Sequence, residues 1–121
     1  MRIRLAIDDV APVGRSLRDA IAERRERIVV DVARRALARI IDETPVETGR
    51  LRAAWIGALA ELGGAGSTGS PEGTARIRET ASVLEIEIEN AVPYAAAVEY
   101  GTRGRAGEHI IVRALQGAAG I

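Results

Sequence analysis

No cysteine occurs in this sequence. That absence excludes a disulfide scaffold, a thiol nucleophile and every zinc site that uses thiolate. Lysine is also missing, so all seventeen cationic side chains are arginine. A Walker A loop needs a lysine and is thereby excluded. A single histidine cannot build a histidine-cluster metal site within one chain. With no phenylalanine, one tryptophan and two tyrosines, the core must be aliphatic. No run approaches eighteen apolar residues, and the opening stretch Met1–Asp9 carries no signal-peptide core. Neither a membrane span nor Sec export is expected.

What remains is ordinary for a folded chain. At 121 residues and 47% hydrophobic content, a core can form without metal or disulfide staples. The reading is a single domain over residues 1–121, with an N-terminal strand and turn at 1–13 and a flexible glycine-rich loop at 61–73. Seventeen acids balance the seventeen arginines. Residues 1–55 hold twelve Arg against nine acids, and residues 56–121 hold five against eight. Neither half resembles the strongly basic domain of a dedicated nucleic-acid binder. A GC-rich coding sequence explains an all-arginine chain; so does selection for interface ion pairs, which the planar guanidinium fork suits.

The alternation Ile3, Leu5, Ile7 against Arg2, Arg4, Ala6 predicts a half-buried strand. Ser16, with Asp19 three residues on, reads as an acidic capping box. Apolar positions then recur from Leu17 to about Asp42 without Gly or Pro, predicting an amphipathic helix of about 26 residues, near 39 Å long. Thr44-Pro45 stops it, and Val46 to Gly49 is a turn in which Thr48 caps a helical turn and Gly49 takes a positive φ. Ala54 to Ala60, carrying Trp55, reads as a strand. Thr74–Thr80 and Val83–Glu89 alternate and predict an antiparallel hairpin with one wet face, Arg76 and Arg78 pairing with glutamates across it. Pro93 opens a short helix, Tyr94 to Tyr100, closed by Gly101. Thr102 to Gly107 reads as a loop, and Glu108 to Gln116 as a final helix. The expected fold is α+β: one long N-terminal helix on a mainly antiparallel sheet of about four strands, plus two short helices.

Chemical motifs are weak. Gly64-Ala65-Gly66-Ser67-Thr68-Gly69 fits G-x-G-x-x-G, but a dinucleotide site needs that turn to open into a helix, and Ser70-Pro71-Glu72-Gly73 and a strand follow here. His109 is the one general base near neutral pH, without a second His, a Cys or a serine elbow to act with. Asp42, Glu43 and Glu47 cluster at a helix C-terminus, where the dipole disfavours added negative charge, among Arg39, Arg50 and Arg52. The sequence reads as a non-enzyme with no cofactor and no metal; a hydrolase around His109 is a minor alternative.

Two segments are distinctive: Thr44-Pro45-Val46-Glu47-Thr48-Gly49-Arg50-Leu51-Arg52-Ala53-Ala54-Trp55, and Asn90-Ala91-Val92-Pro93-Tyr94-Ala95-Ala96-Ala97-Val98-Glu99-Tyr100-Gly101-Thr102. Placed between a long helix and a short C-terminal one, they resemble a tailed-phage family of small tail-component or neck proteins. In that family a TPVDTGRLRxSW-like segment pairs with NxxPYAxYVEYGT. The likeness runs from about residue 30 to 115. Glu47 stands where Asp is commoner, Ala54 where Ser is, Ala97 replaces an aromatic, and Ile110-Ile111 replaces Pro-Phe.

The resemblance implies a structural virion protein of the head–tail junction: a homo-oligomer, a hexameric ring, between the connector and stopper and the tail terminator or tail tube. Genomic DNA would only pass through its channel, and its place would be the virion after assembly in host cytoplasm. Tail terminator and minor tail component are the near alternatives. A small Arg-rich nucleic-acid-binding regulatory domain is the alternative of another class. Thr44, Pro45, Thr48, Gly49, Leu51, Trp55, Pro93, Tyr94, Glu99, Tyr100, Gly101 and Thr102 are the motif residues. Leu51, Trp55 and Tyr94 are expected to pack between sheet and helices, and Glu99 to pair with Arg50 or Arg52. Arg24, Arg25, Arg50, Arg52, Arg103 and Arg105 are the candidate interface cations.

Overall fold

A computed structural model describes residues 1–8, 15–45, 49–63, 69–79 and 83–118, with side chains at all of these except 7, 8, 15–23, 25 and 105. It is a mixed α/β structure with an antiparallel sheet and four helices. In chain order these are β1 (Arg2–Asp8), α1 (Arg15–Glu43), α2 (Gly49–Glu61), β2 (Gly73–Glu79), β3 (Val83–Asn90), α3 (Ala95–Tyr100), β4 (Gly101–Thr102), β5 (Arg105–Ala106) and α4 (Ile110–Ala118).

The main sheet has the order β1-β3-β2, with β3 antiparallel to both neighbours. The strict two-residue alternation of β3 sends Leu84, Ile86 and Ile88 to one face, where they are buried with Ile3 and Ala75. Val29, Ala33, Leu37 and Ile40 of α1 and Leu51, Ala54, Trp55 and Ala58 of α2 complete this aliphatic core. On the other face the glutamates of β3 lie between arginines of both flanking strands. Arg2 stands 3.7 Å from Glu87 and 3.6 Å from Glu89. Arg4 reaches Glu85 at 3.5 Å and Glu87 at 3.8 Å, and Arg76 reaches Glu87 at 3.9 Å. The hairpin pairing expected of Arg76 is present, and Arg78 faces Glu85 in register. The second arginine file, from β1, was not foreseen. With the arginine heads well exposed, each pair is worth a few tenths of a kcal/mol.

One expected strand is a helix. Ala54 to Ala60 lies inside α2, so the main sheet has three strands, not about four. Leu51, Ala54, Trp55, Ala58 and Leu62 recur at helical spacing and are all buried. Alanine favours this state as well. α1 and α2 run antiparallel, and each supplies an arginine to the other's C-terminal end. Arg34 Nε donates to the Leu62 carbonyl at 2.7 Å. Arg52 Nε donates to the Ile41 carbonyl at 3.1 Å. Cations at these free carbonyls are favoured by both hydrogen bonding and the helix dipole.

The segment leading into β2 lies directly on α2. Ser70 N donates to the Ala53 carbonyl at 2.9 Å, and a Cβ on Gly73 would overlap the backbone of Ala54. Only glycine permits so close an approach. Gly49, expected in a positive-φ turn, is instead the first residue of α2, and the positive-φ glycines among the described residues are Gly63 and Gly101. The expected turn at 46–48, with Thr48, and residues 64–68 of the glycine-rich stretch lie outside the described residues.

Candidate functional site at the junction of the two motifs

The two distinctive segments meet. Thr44, at the end of α1, is buried and bonds back to the Ile40 carbonyl through both its N–H, at 2.9 Å, and its hydroxyl, at 2.5 Å. Both of its donors therefore finish the helix, while Pro45 prevents its continuation. Leu51 and Trp55, one helical turn apart on α2, are each 2% exposed. They face Ile40 of α1, Ala95, Val98 and Glu99 of α3, and Ile110 and Ile111 at the start of α4, around a void of about 10 Å³. A void of that size holds at most one water and no ligand. Tyr94 is half-buried against the same cluster.

Asn90 ties the two segments covalently distant in sequence. It is fully buried. Its Oδ1 accepts from Val92 N at 3.0 Å, and its Nδ2 donates to the Leu51 carbonyl at 3.4 Å. Its backbone exchanges bonds with Met1, N–H to the Met1 carbonyl at 2.8 Å and carbonyl from the Met1 amine at 2.9 Å. Sequence reading passed over its role. The signal was its parity: Asn90 continues the inward file Leu84, Ile86, Ile88, where a polar side chain must find internal partners.

Glu99 does not pair with an arginine of the first segment. Its carboxylate, 2% exposed, accepts from Ile111 N at 2.9 Å and Val112 N at 3.4 Å. The partner is the amino end of α4, whose free N–H groups and positive dipole end satisfy a buried anion as well as a cation would. The arginines are engaged elsewhere. Arg52 holds Ile41, as above. Arg50 makes a two-point bond to Glu72, Nε to Oε1 at 2.9 Å and Nη2 to Oε2 at 2.6 Å, joining the first turn of α2 to the approach of β2. This hydrogen-bonded pairing, reinforced by the opposite charges, raises the Arg50 pKa and lowers that of Glu72.

Beyond Glu99 the second segment leaves the core. Gly101, at φ 89°, ends α3 in a conformation open to glycine, and the predicted loop is a hairpin, β4 with β5, Gly101 opposite Ala106 and Thr102 opposite Arg105. Glu108 N to the Val98 carbonyl at 2.8 Å and His109 N to the Glu99 carbonyl at 3.1 Å close its base. Tyr100 at the root is 66% exposed, and Thr102, Arg103 and Gly104 are exposed along it. Pro93 and Arg24 are exposed too; the side chains of Arg25 and Arg105 lie outside the described set. His109 is exposed at a backbone φ of 51°. Among the described residues no group of three His, Asp or Glu is placed to hold a metal ion, and no helix is long and apolar enough to cross a membrane.

The site is thus a packed corner from which an arm projects. Residues 7–101, which include the first segment and all of the second but Thr102, match the HK97-gp10-like family, described as "Bacteriophage HK97-gp10, putative tail-component". No curated protein and no solved structure matches the chain.

Proposed function

The chain belongs to the HK97-gp10-like family of bacteriophage tail components, and from that premise we propose that it is a non-catalytic structural protein of the head–tail junction. It forms a ring, hexameric by the resemblance of its two motifs, between the head-closure proteins and the tail terminator or tube, and DNA passes through the ring. The observation that carries this reading is the fate of the two family segments. Their buried polar groups are used up inside the chain: Asn90, Glu99 and Thr44 all bond to backbone, and the void between them is too small for a ligand. Such a corner fixes geometry and leaves chemistry to others, while the hairpin beyond it offers surface to a neighbour. A regulatory nucleic-acid binder fits less well, because Arg2, Arg4, Arg34, Arg35, Arg50, Arg52, Arg76 and Arg113 already have partners within the chain.

The test is deletion of the gene from the phage that carries it, with particles examined by electron microscopy. Filled heads and finished tails that fail to join are expected. Tails of uncontrolled length would instead indicate a terminator, and normal infectious virions would refute a structural role altogether.

A further inference from the structure

Two exposed features, one along the middle of α1 and one rooted near its carboxyl end, complement each other. One is the arm, residues 100–106, with Tyr100 at its root and Arg103 at its tip. The Tyr100 hydroxyl and the Arg103 guanidinium have no partner among the described residues. The backbone bonds at its base and the β4–β5 pairing give the arm a hairpin form before any contact, which lowers the ordering cost of docking. Tyrosine and arginine are the residue types that dominate interface energies. The other is an open groove of about 940 Å³ along the exposed side of α1, lined by Arg24, Glu26, Arg27, Ile28 and Asp31 among others. Ile28 is 47% exposed there. Glu26 and the two arginines form no ion pair among the described residues, whereas Asp31 is held by Arg35 at 2.8 Å.

In its own chain the arm springs from a different part of α1 than the groove. Val98 and Glu99, from which the arm springs, lie against Ile40, and Arg113 of α4 reaches Glu43 at 3.4 Å. The arm is therefore rooted near the carboxyl end of α1, about 18 Å along the helix from Ile28 at 1.5 Å per residue. We propose that the arm of one copy docks in the α1 groove of the next, Tyr100 covering Ile28 between Arg24 and Arg27 while Arg103 meets Glu26. A contact between two different patches is heterologous, and repeated head to tail it gives a ring when the rotation per copy closes and an open filament when it does not. The aromatic ring against two guanidinium groups adds cation–π attraction. The inference rests on the ring reading and names the surfaces that make it.

Native mass spectrometry and light scattering of the purified full chain across a concentration series test both. The wild type should form a closed oligomer. Tyr100→Ala and Ile28→Asp should each raise the dissociation concentration at least tenfold, with circular dichroism unchanged. Arg103→Glu and Glu26→Arg should each weaken assembly, and the double variant should recover most of the loss. Rings that ignore Tyr100→Ala and Ile28→Asp, or a double charge swap no better than its single variants, overturn this contact and leave the ring reading standing. A wild type that stays monomeric alone and on particles overturns both.

Discussion

Replacing Glu99 measures how much of the junction depends on one buried carboxylate. In Glu99→Ala the Ile111 N–H loses a charged acceptor at 2.9 Å and the Val112 N–H a longer one at 3.4 Å. A hydrogen bond to a charged group contributes about 1.5–3 kcal/mol, and a buried donor left unsatisfied costs about 1–3 kcal/mol. These overlap rather than add. Charge at a helix amino end contributes up to about 2 kcal/mol in partly buried sites. The loss should be about 3 kcal/mol, a fall in melting temperature of roughly 10 °C for a chain of this size. Glu99→Gln keeps an acceptor of the same reach but loses the charge and buries an amide NH2 without a partner, so about half that loss is expected. Urea unfolding of the three proteins, followed by circular dichroism, gives the series directly. Double-mutant cycles of Glu99→Ala with Arg50→Ala or Arg52→Ala should show coupling below about 0.5 kcal/mol, as for residues without a shared contact. A loss under 1 kcal/mol for Glu99→Ala, or Gln no better than Ala, would refute the helix-end account; strong coupling to either arginine would restore the ion pair.

Gly73→Ala places a methyl group into the backbone of Ala54 and should destabilise by at least 3 kcal/mol, beyond ordinary overpacking, whereas Gly49→Ala meets nothing within 4 Å and should stay within about 0.5 kcal/mol; paired thermal melts decide. His109 has a φ of 51°, so His109→Val should lose about 1–2 kcal/mol and His109→Asn almost nothing, since asparagine tolerates that region and β-branched residues do not. Because Arg50 lowers the Glu72 pKa, the contribution of Glu72 is complete above the ordinary glutamate range and is lost as pH falls through its lowered folded value. Urea midpoints of wild type and Glu72→Gln should therefore differ at pH 7 and converge on acidification; a gap that widens toward acid contradicts the pairing.

Period-two patterns were the most legible part of the fold. β1, β2 and β3 follow Ile3 to Ile7, Ala75 to Ile77 and Leu84 to Ile88, because a sheet with one apolar face writes its alternation into the chain. The α2 helix was misread although Leu51, Ala54, Trp55, Ala58 and Leu62 carry helical spacing. A short apolar run suits either state, and nothing in it marks Gly57 as a point where another backbone passes close. Glu99 was rightly marked as needing a partner. Its partner was missed because backbone N–H groups exist at every position, so nothing in the residue types reveals which helix end will arrive. The β4–β5 hairpin was hidden for a related reason: two-residue strands contain no period to detect.

The outer face of the sheet has a consequence for how copies can meet. Its middle strand bears glutamates, and the strand at one margin, β1, carries Arg2 and Arg4 with their heads 57% and 61% exposed. A second copy approaching that margin edge to edge would bring guanidinium against guanidinium, a repulsion that natural sheets use to stay unpolymerised. The opposite margin is occupied in part by α2, whose Glu61 accepts the Ala75 N–H at 2.9 Å. Crowded at high local concentration during particle building, such subunits are steered away from fibrous stacking, and orderly growth is left to surfaces other than the sheet.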